Sequence, residues 1–172
     1  IKEGNYKGST PLLFSIETDN KELESFLIKN SNSESISYAE NIKNKSKYPS
    51  IKANIYTITT VVETYAIDFN GKYPEKLEDL EKYAKSNGYW KEIKNPFTEM
   101  SGLGKNGSFM DYKTYKSYKS NPSLKGLVLY EAINPKFDKK LKKSFSTQYK
   151  IYGTDENGQL LKNKDGKIFF NN

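Results

Sequence analysis

Between Ile51 and Phe69 the apolar residues Ile51, Ile55, Ile58, Val62, Tyr65 and Phe69 recur at steps of four, three, four, three and four, and Val61 and Ala66 widen the stripe. That period predicts an amphipathic helix of about five turns with one apolar face. The opposite face (Lys52, Asn54, Thr57, Thr60, Glu63, Thr64) is polar but lightly charged. Frequent β-branched residues lower the intrinsic helix propensity, so tertiary packing has to hold this helix. Asn70-Gly71 supplies a left-handed stop, and Tyr73-Pro74 reverses the chain. Leu77, Leu80, Tyr83 and Ala84 then predict a second, short helix closed by Asn87-Gly88. Residues 89–126 read as a long loop punctuated by Gly and Pro and pinned by Trp90, Phe97 and Met100. Beyond it the period changes to two. "GLVLYEAI" (126–133) and "STQYKIYGTDENG" (146–158) read as strands, and "QLLKN" and "KIFFNN" as two more around an Asp165-Gly166 turn.

Upstream, "YKGSTPLLFSIETDNKELESFLIKN" offers Ser9 or Thr10 as a helix cap, with Pro11 at the first helical position and Leu12, Leu13 and Ile16 as a short apolar face. Asp19 or Asn20 caps a second helix, with Leu23, Phe26, Leu27 and Asn30 on one side. Residues 31–50 are rich in Ser, Asn and Lys and read as a linker or a frayed helical lead-in. The expected organisation is a helical hairpin over 1–35 and a head over 36–172. The fold class is α+β, with the long helix packed on a C-terminal antiparallel sheet.

Composition limits the chemistry. Arg, His and Cys are absent from the 172 residues. Thiol nucleophiles, disulfides, zinc sites built on nitrogen or sulfur, and Ser-His-Asp triads are therefore excluded. The net charge of +7 admits an anionic partner, but it is carried entirely by Lys, which lacks the bidentate fork used to read bases and phosphates. A mean hydropathy of −0.84 is low, yet 14 Tyr and 9 Phe supply enough burial for a folded core. No apolar run reaches the roughly 18 residues that cross a bilayer, no signal peptide is read, and a start at Ile1 reads as a processed or trimmed product.

Few clusters of side chains invite chemistry. Tyr112-Lys113, Tyr115-Lys116 and Tyr118-Lys119 repeat every three residues, a pattern suited to stacking on a polyanion such as DNA or polysaccharide. The bland reading is a polar surface loop. "PKFDKKLKKSF" (135–145) places Phe137, Leu141 and Phe145 at helical spacing among lysines. It reads as a solvated connecting loop or a short membrane-surface piece. Glu75, Glu78, Asp79 and Glu81 suit the first turns of a helix. No carboxylate pair has an apolar setting, so catalysis and a cofactor are not expected.

"SIKANIYTITTVVETYAIDFNGKYPEKLEDL" (50–80), "GYWKEIKNPFTEMSG" (88–102) and "YKIYGTDENGQLLKNKDGKIFFNN" (149–172) together resemble the type IV pilins and the pseudopilins of type II secretion. They are similar to the second half of the pilin helix with its N-G-x-Y-P turn, the N-P-F-T loop, and the closing β-hairpins. The resemblance covers about residues 40–172. It implies a globular head whose partners are other pilin or pseudopilin subunits, on the cell surface in a pilus or in the periplasm. It also implies an upstream apolar half-helix that anchors in the inner membrane and builds the filament, where this sequence instead shows ankyrin-like residues. In those terms Ile51, Ile55, Ile58, Val62, Tyr65 and Phe69 join helix to sheet, Gly71 and Pro74 turn the chain, and Asn95-Pro96-Phe97 pins the loop. Some pseudopilins bind calcium near the C-terminus, which makes Asp155, Glu156 and Asp165 the calcium candidates, although both stretches read first as hairpin turns.

Residues 5–35 also resemble one ankyrin repeat, through Gly8, Thr10, Pro11, Leu12, Ile16, Asn20, Glu22, Leu23, Leu27 and Ile28. A lone repeat cannot bury both faces. An array has been trimmed, or the hairpin packs on the rest of the chain, or the likeness is accidental. Function follows the same division: a structural subunit acting by subunit packing, or a soluble binding module that engages a protein or polyanion.

Overall fold

The structure is a computed structural model and describes residues 21–30, 33–118 and 122–172. The chain forms two compact units, 1–47 and 48–172. In the first, α1 (Lys21–Asn30) and α2 (Ser33–Lys45) bury Ala39 among Leu27, Ile28 and Ile42. Phe26, expected on the apolar face, is exposed. The stretch expected as a linker or a frayed helical lead-in is mostly helix, and because it packs through Ala39 the unit boundary falls at 47/48 instead of 35/36. Ser9, Thr10, Pro11, the first expected helix and the ankyrin-like positions Gly8 to Asn20 lie outside the described residues.

The second unit is built on α3 (Tyr48–Asp68), which buries Ile51, Ile55, Ile58, Val61, Val62, Tyr65 and Ala66. Pro49 sits in its first turn, where a missing N–H costs nothing. The helix stops as expected: Gly71 N–H returns to Ala66 O at 2.8 Å, with Asn70 and Gly71 at φ 52° and 77°. Strand β1 (Tyr73–Pro74) leads to α4 (Leu77–Ser86), which buries Leu77, Leu80 and Ala84. The first N–H of α4, on Leu77, donates to the Asp111 carboxylate at 2.9 Å, a cap supplied from a distant strand.

A four-stranded sheet runs in the order β2 (Phe109–Asp111), β3 (Val128–Ala132), β6 (Tyr149–Gly153), β7 (Phe170–Asn171). Strands β3, β6 and β7 are antiparallel, but β2 lies parallel to β3, so the sheet is mixed and not purely antiparallel. The alternation of side chains splits the core into two layers. Phe109, Val128, Tyr130, Tyr149 and Ile151 face α3 and α4. On the reverse face Met110, Leu129 and Tyr152 join Leu124 and Leu127 under Tyr112 and Tyr115.

Residues 89–126 are not one long loop. They contain β2, helix α5 (Tyr112–Ser117) and a 3₁₀ turn at Pro122–Leu124, because that segment must cover the back of the sheet. Met100, expected as a pin, is exposed, whereas Trp90 packs edge-on to Phe109 at 5.2 Å. Residues 135–145 form neither helix nor open loop but a hairpin of β4 (Lys136–Asp138) and β5 (Lys143–Ser146), which pairs with β1 in a second sheet. Of the last two expected strands, "QLLKN" is reduced to single bridges, Leu160 with Thr154 and Lys162 with Ile168, whereas "KIFFNN" contains β7. Among the described residues no helix is long and apolar enough to cross a membrane.

Candidate functional site

The seam between α3 and the sheet gathers the expected stripe. Ile51, Ile55, Ile58, Val62 and Tyr65 are buried against the sheet and α4, and Phe69 is half-buried at the end, its ring stacked on Tyr65 at 4.3 Å. Gly153 lets the helix lie this close. A Cβ there would stand 2.5 Å from Ile51 Cγ2 and 3.1 Å from Ile55 Cδ1. A side chain at that point would push the two layers apart.

On the other side of α3 a second ribbon faces outward. Ala53, Tyr56, Thr60, Glu63 and Ile67 are exposed and step by three, four, three and four residues, so they form one continuous line along the helix. Ile67 is 78% exposed and Tyr56 54%. Charged residues make up 28% of the chain, yet α3 holds only Lys52, Glu63 and Asp68, and the ribbon only Glu63. That carboxylate is engaged: Tyr149 Oη donates to it at 2.5 Å, and Tyr73 Oη lies 3.4 Å away. Burial, then Glu63, pushes the Tyr149 hydroxyl above its ordinary value; for Tyr73 the causes fall in the same order. A surface helix normally carries interspersed charge. A long exposed line with one hydrogen-bonded carboxylate and an exposed isoleucine is a face suited to contact. The sequence signal for it was present in the lightly charged polar face, but Ile67 was not singled out.

The edges of α3 are held on both flanks. Asn54 Nδ2 donates to Lys94 O at 2.8 Å, and Asn171 Nδ2 to Thr59 Oγ1 at 3.0 Å. Pro74 is buried and its carbonyl accepts from Tyr130 Oη at 2.6 Å. In the loop, Asn95 is buried. Its Nδ2 donates to Lys125 O at 2.7 Å and Gly107 O at 3.2 Å, and its Oδ1 accepts from Phe97 N at 2.9 Å. Gly126 passes beneath at φ 70°, where a Cβ would stand 2.3 Å from Asn95 Oδ1. Pro96 and Phe97 are half-buried beside it.

The Tyr-Lys segment is dispersed. Tyr112 and Tyr115 stack on one another at 5.8 Å, Tyr112 also lies 4.8 Å from Tyr152, and Tyr115 Oη donates to Gly158 O at 2.9 Å. Their faces serve the core of the back layer, which leaves Tyr118 as the exposed ring. Lys113 and Lys116 line a cleft of about 390 Å³ together with Glu75, Asp111 and Glu131, so the lysines stand among carboxylates and not in a basic patch. Burial raises the Asp111 carboxyl above its ordinary value, against the opposing hydrogen bond from Leu77. Lys119 lies outside the described residues.

The calcium candidates act as turn acceptors. Asp155 Oδ1 accepts from Asn157 and Gln159 N–H, each at 2.9 Å, and Glu156 accepts from Tyr48 Oη at 2.5 Å. Asp165 accepts from Lys167 N–H at 3.3 Å. Among the described residues no three carboxylates gather as a metal site. In comparisons with known families, curated proteins and solved structures, the chain matches none.

Proposed function

We propose that the chain is the head of a filament subunit of the type IV pilin or type II pseudopilin kind, working by packing against copies of itself. The carrying observation is the outward ribbon of α3: an exposed helical line with a single, hydrogen-bonded charge, on a helix whose reverse side is clamped to the sheet. A rigid helix presents such a line without losing order when it docks. Contacts between copies that run from this ribbon to a different face of the next copy are head-to-tail, and such contacts propagate into filaments when they do not close. The N-G-K-Y-P turn at 70–74, which ends α3 and leads into β1, and the N-P-F-T loop at 95–98, pinned through Asn95 to Lys125 and Gly107, add support as the motifs that carry the likeness to the pilins. In this reading the chain works at the cell surface or in the periplasm.

The test is direct contact between copies in cells that make the chain. A photo-crosslinking side chain placed at Ile67 is expected to join copies to one another. Tyr56→Lys in the same chain is expected to suppress that product at a stability cost of about 1 kcal/mol or less, since Tyr56 is exposed apart from an edge contact with the Phe169 ring at 6.5 Å.

A further inference from the structure

The β4–β5 hairpin, which the filament reading leaves unused, carries the densest run of lysines among the described residues. Lys136, Lys139, Lys140, Lys142 and Lys143 fall within eight consecutive positions and are all exposed. None of them forms an ion pair with another described residue. The single carboxylate among them, Asp138, is already engaged. Its Oδ2 pairs with Lys72 Nζ at 2.6 Å, and its Oδ1 accepts from Lys140 and Leu141 N–H at 2.9 and 3.1 Å. Those two bonds fix the turn, and Lys142 at φ 51° completes it.

Register then decides what the hairpin presents. Lys136 is opposite Phe145 and Phe137 opposite Ser144, so Phe137 and Phe145 leave the strands on opposite faces. Phe145 points inward, buried against Phe69 with ring centroids 5.4 Å apart. Phe137 therefore points out, 64% exposed, and Leu141 at the turn is 42% exposed. By the same register Lys136 and Lys143 share the face of Phe145, so the tip presents Phe137 and Leu141 beside the turn lysines Lys139, Lys140 and Lys142, with Lys136 and Lys143 exposed on the other face.

We propose that this hairpin docks on an anionic lipid surface, with the lysines over the headgroups and Phe137 and Leu141 in the interface. Polybasic segments gain from the negative potential of anionic leaflets, and neighbouring apolar side chains add burial at the headgroup boundary. A nucleic acid or acidic polysaccharide would use the lysines and could stack on Phe137, but it offers nothing to an exposed leucine. The hairpin sits at the Phe69 end of α3, about 30 Å along the helix from Tyr48. The inference does not depend on the filament reading.

The test is flotation of the full chain with phosphatidylcholine vesicles, with and without phosphatidylglycerol, at low and high salt. Binding is expected only to the phosphatidylglycerol vesicles and is expected to fall with salt. Lys139→Gln with Lys140→Gln should weaken it about thirtyfold. Phe137→Ser with Leu141→Ser should weaken it by about tenfold and leave the melting curve unchanged, since both side chains are exposed. In Phe137→Trp the emission should shift to the blue on phosphatidylglycerol vesicles, beyond the signal of Trp90 in the parent chain. Failure to float with anionic vesicles at low salt would overturn the proposal. So would a loss caused by the lysine pair but not by the Phe137 and Leu141 pair, accompanied by retention on duplex DNA, which would make the hairpin a polyanion site.

Discussion

Replacing Gly153 by alanine probes how closely α3 lies on the sheet. The added methyl would stand 2.5 Å from Ile51 Cγ2 and 3.1 Å from Ile55 Cδ1, with Leu161 Cδ2 at 3.8 Å. Ile55 can withdraw a terminal methyl, but Ile51 Cγ2 is fixed on a β-branched carbon that has one good rotamer in a helix. Overpacking of this kind costs about 1–3 kcal/mol, and the lower backbone entropy of alanine in the unfolded chain returns about 0.4–1 kcal/mol. The expected net loss is about 1–2 kcal/mol. It should be read from urea unfolding followed by the fluorescence of Trp90, the only tryptophan. Ile51→Ala alone should cost about 2–5 kcal/mol through the cavity it leaves. Combined with Gly153→Ala the two costs should sum to less than the singles by about 1 kcal/mol, because the new methyl enters the vacated space. Strict additivity, or a Gly153→Ala chain within about 0.5 kcal/mol of the parent, would refute the close contact between α3 and β6.

Two further outcomes follow from the core. Asn95→Ala should destabilise by about 2–4 kcal/mol in the same assay, because Lys125 O, Gly107 O and Phe97 N–H lose their partner in a buried loop. A change below about 1 kcal/mol would show that the loop is not pinned there. Ten tyrosines, among them Tyr65, Tyr130, Tyr149 and Tyr152, have hydroxyls raised above their ordinary value of 10.0, chiefly by burial, and Tyr89 is pushed up to about 12. Above pH 10 the unfolded chain loses phenolic protons that the folded chain keeps, so stability is full below that pH and falls as pH rises through the folded values. Circular dichroism melts should show a steep decline beginning near pH 10, and a flat profile well above it would contradict the burial of these rings.

What the sequence made legible was what had a period. The stripe from Ile51 to Tyr65 reads as a helix face because no other arrangement satisfies steps of three and four, and Asn70-Gly71 ends it for a local steric reason. The hairpin at 135–145 was ambiguous because Phe137, Leu141 and Phe145 fit a helical step as well as a strand pair. Only pairing with Tyr73-Pro74 settles that Phe145 turns in and Phe137 out. Helix α5 was hidden for a different reason: its tyrosines repeat every three residues on a polar background, and the apolar layer they cover, Leu124 with Leu127 and Leu129, comes from later in the chain. The cap on α4 comes from Asp111, 34 positions downstream of Leu77, and no local pattern encodes it. The outward ribbon lies between these cases. Its low charge was readable, but its continuity required knowing which side of α3 the sheet takes.

The claim that this head works by joining copies of itself is tested most directly at Ile67, the most exposed large apolar side chain of the ribbon. Benzoylphenylalanine at that position, irradiated in intact cells that make the full-length protein, should yield a ladder of products containing two, three and more copies of the chain. Monomer alone, or one adduct to an unrelated protein, would contradict assembly through α3.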